Sequence, residues 1–198
     1  PVRFYDGLFE AAYRTEDTEL LPLVSTYTRA GDQLLFDTFI TIAGKTFVSE
    51  YLSEFRIFND PDNDLGAFVD QKMDGSWILA VNRYNNDLRT DAQSISMADL
   101  LLHEYAHIVF FEDVDIAQTF TNTYWDSPTM QQHKSTLETI MNFAKKLSYS
   151  DDFYEAHKSY FVTDYAASSP DEDIVESFVH FLQNDKPVGS LIKDTKTR

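Results

Sequence analysis

The chain contains a long apolar run with helical periodicity, Ser96-Met97-Ala98-Asp99-Leu100-Leu101-Leu102-His103-Glu104-Tyr105-Ala106-His107-Ile108-Val109-Phe110-Phe111. Its apolar residues recur at spacings of three and four, which is the period of one helix face. Ser96, with Asp99 three residues later, is typical of a helix N-terminus, where a serine oxygen accepts a backbone N–H. The pattern predicts a helix over about residues 97–111.

This run contains the motif H-E-x-x-H, formed by His103, Glu104 and His107. Residues four apart lie on one helix face, so the two imidazoles can take adjacent corners of a zinc tetrahedron while Glu104 points at the open corner. The alternative is a core helix whose histidines are satisfied by buried hydrogen bonds. We favour the metal interpretation because two imidazoles and a carboxylate buried on such a helix would each need a partner. The motif then predicts a zinc hydrolase that needs a third protein ligand.

Two acidic residues are candidates for that ligand. Asp113 stands where metzincins carry their last ligand, but Phe110 occupies the position of the glycine that turns the chain back to the metal. Glu172 follows Ser169-Pro170, a cap and first-turn pair that predicts a second helix, and it shares a face with Glu176. Glu172 suits the role of ligand and Glu176 that of an outer acceptor for an imidazole N–H. The alternatives are a capping box for Glu172 and a solvated face for Glu176.

At this point the chain resembles a known family. The segment Phe161-Val162-Thr163-Asp164-Tyr165-Ala166, followed after a short gap by Glu172-Asp173-Ile174-Val175-Glu176-Ser177-Phe178, is similar to the segment that follows HExxH in gluzincin-like bacterial zinc-binding metallopeptidases and in the catalytic domain of anthrax lethal factor. The resemblance covers residues 96–182. It implies that His103, His107 and Glu172 bind zinc, that Glu104 is the general base, that Tyr165 stabilises the oxyanion and that Glu176 supports a ligand histidine.

The composition limits the partners and the compartment. With 33 acidic and 16 basic residues the formal net charge is −17, which argues against nucleic acid or an anionic membrane as a partner. The absence of cysteine excludes thiol catalysis and Cys-rich zinc sites. No run reaches the length of a membrane span, and a start at Pro1 favours a processed, secreted or otherwise extracytoplasmic protein. The expected partner is therefore a peptide or protein substrate; the oligomeric state stays open.

The remaining segments predict a mixed architecture. Residues 6–14 and 18–28 are predicted as helical pieces, and residues 34–58 show no decisive period. Residues 65–69 and 77–82 are predicted to be strands of a hairpin around Asp74-Gly75. We expect residues 78–82 to form an edge strand that lines the cleft, with a buried central strand as the alternative. The acidic segment Asp60–Gly66 is expected to be a solvated turn. A calcium loop is the alternative, although the segment matches the calcium-binding pattern poorly.

Downstream of the motif, a long helix is predicted from Ser127-Pro128 to about Leu147, and another from Ser150 to about Tyr160. They carry His133 and His157, which are expected to be surface or packing residues. The expected fold is α+β and zincin-like, in one catalytic domain. A subdomain of residues 1–111 with a small sheet and the metal helix would precede a helical subdomain of residues 112–198.

The expected activity is that of a zinc metalloendopeptidase in which Glu104 takes a proton from a zinc-activated water. Two alternatives stay open: an inactive zinc-binding module, and a zinc hydrolase of small amides or esters.

Overall fold

The computed structural model of the 198-residue chain describes residues 9–16, 18–23, 29–60, 65–83, 96–184 and 196. Within these ranges the protein is α+β, as predicted, with one mixed sheet and several helices. The chain divides into two compact units, Pro1–Ile108 and Val109–Arg198, here called the N-terminal and the C-terminal unit. None of the described helices has both the length and the apolar character that a membrane span requires.

The sheet lies in the N-terminal unit. Its five strands are β1 (Phe9–Glu16), β2 (Glu19–Pro22), β3 (Leu52–Phe58), β4 (Ala67–Gln71) and β5 (Trp77–Asn82). They are ordered β2-β1-β3-β5-β4, with β3 and β5 parallel and the other neighbours antiparallel. The predicted hairpin is confirmed as β4 and β5, and Gly75 takes the positive φ of 86° that its turn requires.

The helices predicted near the N-terminus are wrong wherever those residues are described. Residues 9–16 and 19–22 are strands instead. The rest of the two predicted pieces lies outside the described residues, in the turn at residue 18 or in the bend at residue 23. In β1, Ala11 and Tyr13 are buried while their neighbours are more exposed, which is the period of two of a half-buried strand. The strand pairs with β3, whose partner residues lie 40–49 positions away, and that distant partner overrides local helix propensity.

The edge position predicted for residues 78–82 is also wrong, and the alternative holds. β5 lies between β3 and β4, and all six of its residues are buried. A strand covered on both faces is continuously apolar, which explains why this segment shows no alternation. Among the described strands, β4 occupies the edge on that side of the sheet.

Three helices complete the described part of the N-terminal unit: α1 (Ala30–Ala43), α2 (Lys45–Tyr51) and α3 (Met97–Glu112), whose last residues belong to the C-terminal unit. The α3 helix confirms the predicted helix and its cap, since Ser96 Oγ accepts from the Asp99 backbone N–H at 3.1 Å. Leu101 and Ile108 of α3 join Phe36 and Phe55 in the apolar core. This packing holds the helix that carries His103 and Glu104.

A polar network lies at one border of that core. Asp32, whose side chain is buried, accepts hydrogen bonds from the Tyr13 hydroxyl at 2.5 Å and from the Arg83 guanidinium. Burial, followed by the bond to Asp32, raises the pKa of Tyr13 to about 12. The network joins β1, the first turn of α1 and the end of β5.

The C-terminal unit is helical in its described part. It contains α4 (Val114–Tyr124), α5 (Pro128–Thr139), α6 (Phe143–Ala156), a 3₁₀ turn (Tyr165–Ser168) and α7 (Pro170–Gln183). Its core contains Trp125, Met130 and Phe161. The single helix predicted from residue 127 to 147 is wrong, because the chain breaks at residues 140–142 and restarts with Asn142 capping α6.

His133 on α5 is a packing residue of this core. It is buried, its ring stacks on Phe153 with centroids 3.6 Å apart, and its Nε2 lies 2.7 Å from the Ala167 carbonyl oxygen. Burial lowers the pKa of His133, so the ring is favoured in its neutral form. Since a carbonyl oxygen only accepts, Nε2 carries the proton and donates it to the 3₁₀ turn.

Candidate metal centre

The two motif histidines converge on one face of α3. His103 and His107 are half-buried, their ring centroids lie 4.7 Å apart, and their Nε2 atoms are 3.1 Å apart. Two imidazole nitrogens bound to one tetrahedral zinc are roughly 3.3 Å apart, as follows from bonds of about 2.0–2.1 Å. The pair therefore fits two adjacent corners of a zinc site.

Glu104 lies on the same turn of α3 and is 4% exposed. Its neighbour Tyr105 points to a different face of α3 and packs on Phe47 of α2, with ring centroids 4.8 Å apart. This aromatic contact joins α3 to α2. A buried carboxylate one residue from a metal-ligating histidine has the placement that a general base in an HExxH site needs.

Glu172 lies in the first turn of α7, in the C-terminal unit. The predicted cap is present, because Ser169 Oγ accepts from the Glu172 backbone N–H at 3.1 Å and Pro170 opens the helix. This hydrogen bond involves only the backbone N–H of Glu172, and the carboxylate of Glu172 makes separate contacts. The Tyr165 hydroxyl lies 3.3 Å from Glu172 Oε1, and Oε2 is buried. The structure thus brings together the predicted ligand and the predicted oxyanion donor.

Glu176, one turn further along α7, accepts a hydrogen bond from the Thr163 hydroxyl at 2.8 Å. Thr163 Oγ1 in turn accepts from the Ala166 backbone N–H at 3.1 Å. Glu176 therefore holds the 3₁₀ turn that begins at Tyr165. Support of a ligand histidine by Glu176 stays a prediction.

Asp113, the candidate third ligand that lies closer in sequence to the histidines, is the N-cap of α4. Its side chain accepts from the Ile116 backbone N–H at 3.1 Å and caps α4. The preceding helix continues through Phe110 to Glu112 without the turn that a metzincin makes at its glycine. Both observations favour the capping role.

Sequence reasoning missed a charged cluster next to Glu172. The buried carboxylate of Asp173 accepts from the Trp125 indole N–H at 2.7 Å and pairs with Lys196. Burial raises the pKa of Asp173 to about 6, against the opposing effect of the Lys196 ammonium, and burial lowers the pKa of Lys196. No spacing rule connects these three residues, because they meet only through the packing of the C-terminal unit.

Comparison of the chain with protein-family models, with curated proteins and with solved structures gave no match.

Proposed function

We propose that the protein is a zinc-dependent metallopeptidase with a zincin-like fold, in which His103, His107 and Glu172 bind the metal. The observation that carries the proposal is the convergence of the two Nε2 atoms to 3.1 Å on one turn of α3, with the buried Glu104 beside them. Two imidazoles so placed suit zinc, and a helix-borne glutamate is the usual base of such a site.

The two histidines would offer the lone pairs of Nε2, so each ring would carry its proton on Nδ1. Glu172 would add a carboxylate oxygen, which makes the His-His-Glu set of several peptidases. Zinc, when bound, supplies a Lewis acid that polarises water and the peptide carbonyl.

Glu104 would accept a proton from the attacking water and return it to the leaving amine. The Tyr165 hydroxyl would donate to the oxygen that becomes negative on the carbonyl. Its contact with Glu172 Oε1, at 3.3 Å, is longer than the roughly 2.5–3.0 Å of a normal O–H···O bond. The hydroxyl can therefore change partners at little cost.

An extended peptide would pair with β4, since β5 is enclosed in the sheet. Among the described residues, β4 is hydrogen-bonded to a neighbouring strand only through β5. The terminal strand of a sheet is the one with which an extended substrate chain can pair. This assignment replaces the predicted role of residues 78–82.

The decisive experiment is Glu104→Gln in the zinc-loaded protein, tested on an unstructured protein and on a peptide library. The amide keeps the volume of the side chain and can hydrogen-bond water, but it cannot accept a proton. We expect zinc content and folding to be retained and hydrolysis to fall by about 10²–10⁴-fold. Glu112→Gln, at the exposed end of the same helix, is the matched control and should keep full activity.

Three results would contradict the proposal. Wild-type turnover in Glu104→Gln would exclude the glutamate as the base. Zinc-loaded wild-type protein that cleaves no peptide would indicate a binding module. Hydrolysis confined to small amides or esters would indicate a small-molecule hydrolase on the same residues.

A further inference from the structure

The ammonium of Lys196 lies inside an aromatic cluster of the C-terminal unit. Its Nζ is 4.7 Å from the ring centroid of Phe161, 5.6 Å from that of Tyr124 and 5.7 Å from that of Phe120. All three distances are within the roughly 6 Å over which a ring face attracts a cation. The side chain of Lys196 is completely buried.

A carboxylate completes the surroundings of this ammonium. The side chain of Asp173 is also completely buried and pairs with Lys196 through Oδ2. The Trp125 indole N–H donates to the same oxygen and so fixes its direction. Three rings and one oriented carboxylate thus surround a single positive charge, an arrangement called here the Asp173 cage.

We propose that the Asp173 cage is a binding site for a primary alkylammonium ion, and that the side chain of Lys196 is its intrachain ligand. Occupation of the cage ties Lys196 to the first turn of α7. Neither the cage nor the contacts between the cage and Lys196 require a metal, so this site is separate from the proposed zinc chemistry.

The chemistry of the cage specifies the class of ligand. Three aromatic faces favour a cation over a neutral group, and the buried carboxylate requires a counter-charge, since an unpaired buried charge is strongly destabilising. An ammonium is a compact charge on a flexible stem, whereas a guanidinium is a broad plane that needs paired acceptors. With the indole N–H already donating to Oδ2, the cage favours the compact ion.

Chemical complementation tests the proposal directly. Lys196→Ala keeps Cβ and removes Cγ, Cδ, Cε and Nζ, so the missing atoms correspond to n-propylammonium. We expect the variant, measured in chelator without zinc, to lose about 6–20 °C in Tm, because it leaves the carboxylate buried without its partner. Millimolar n-propylammonium chloride should restore a large part of that loss, and the neutral n-propanol should restore none.

Lys145→Ala is the matched control, since Lys145 is exposed on α6 of the same unit. Its Tm should equal that of the wild type and should not respond to the amine. An unchanged Tm in Lys196→Ala, or equal recovery with n-propanol, would overturn the proposal. The chelator makes this result independent of zinc binding and of peptidase activity.

A second measurement uses the native protein and covers the case in which Lys196→Ala does not fold. Limited acetylation, followed by mass spectrometry, should show Lys196 reacting at least tenfold more slowly than Lys145. The reason is that the amine of Lys196 is buried in the cage and inaccessible to the reagent. Equal rates for the two lysines would refute occupation of the cage.

Discussion

Replacing His107 by alanine tests the paired imidazoles of α3 most directly. The Nε2 atoms of His103 and His107 are 3.1 Å apart, and with Zn–N bonds of about 2.05 Å this separation gives an N–Zn–N angle of about 98°. If the two Nε2 atoms lay about 0.2–0.3 Å further apart, the N–Zn–N angle would be tetrahedral. The two half-buried rings can reach that distance by small rotations. We expect the wild type to bind about one zinc per chain and His107→Ala to lose it, since one of three protein ligands is missing.

The zinc concentration, relative to the dissociation constant, sets the size of the thermal effect. Zinc at about 100 times its dissociation constant stabilises the folded state by about 2.7 kcal/mol. For a chain of 198 residues, each kcal/mol raises Tm by roughly 2–4 °C. The transition that includes α3 should therefore rise by about 5–11 °C in the wild type and stay unchanged in His107→Ala.

The assay combines metal analysis after dialysis against a chelating resin with a zinc titration followed by thermal unfolding. His180→Ala is the matched control, because His180 also lies on a helix and its ring bonds to Asn184. That variant should keep both zinc and the thermal shift. Full zinc occupancy in His107→Ala, or an undiminished shift, would refute the assignment of the imidazole pair to a metal.

Three further outcomes are expected. Glu172→Ala should lose most of its zinc in metal analysis, whereas Asp113→Ala should keep it and weaken the protein by about 1 kcal/mol through the lost cap of α4; the reverse pattern would make Asp113 the ligand. Tyr165→Phe should keep zinc and lower kcat by about 10–10³-fold, because one hydrogen bond to the oxyanion is removed, and an unchanged kcat would exclude that role. Because the pKa of Tyr13 is raised from 10.0 to about 12, its contribution to stability is complete below pH 10 and is lost as the pH rises toward 12. Denaturation of the wild type and of Tyr13→Phe between these limits should reveal a difference of about 1–3 kcal/mol that disappears at the upper end.

Local chemistry decided the elements that the sequence predicts well. Ser96 with Asp99 and Ser169 with Pro170 mark helix starts within three residues, so α3 and α7 are predicted with their caps. The approach of His103 and His107 follows from a spacing of four within one helix. The hairpin of β4 and β5 follows from the glycine of its turn. Glu172 as the third ligand is indicated by the helix start at Ser169-Pro170 and by the family resemblance, and it stays a prediction.

Non-local pairing decided what the sequence does not predict. β1 becomes a strand because β3 supplies its hydrogen-bond partners from 40–49 residues away. β5 lies inside the sheet because β3 and β4 pair with its two edges. The Asp173 cage forms because Trp125 and Lys196, far apart in sequence, meet one carboxylate. Helix caps and turns act over a few residues, so the sequence alone reveals them. Strand order and buried ion pairs depend on contacts between distant segments, so only the folded chain decides them.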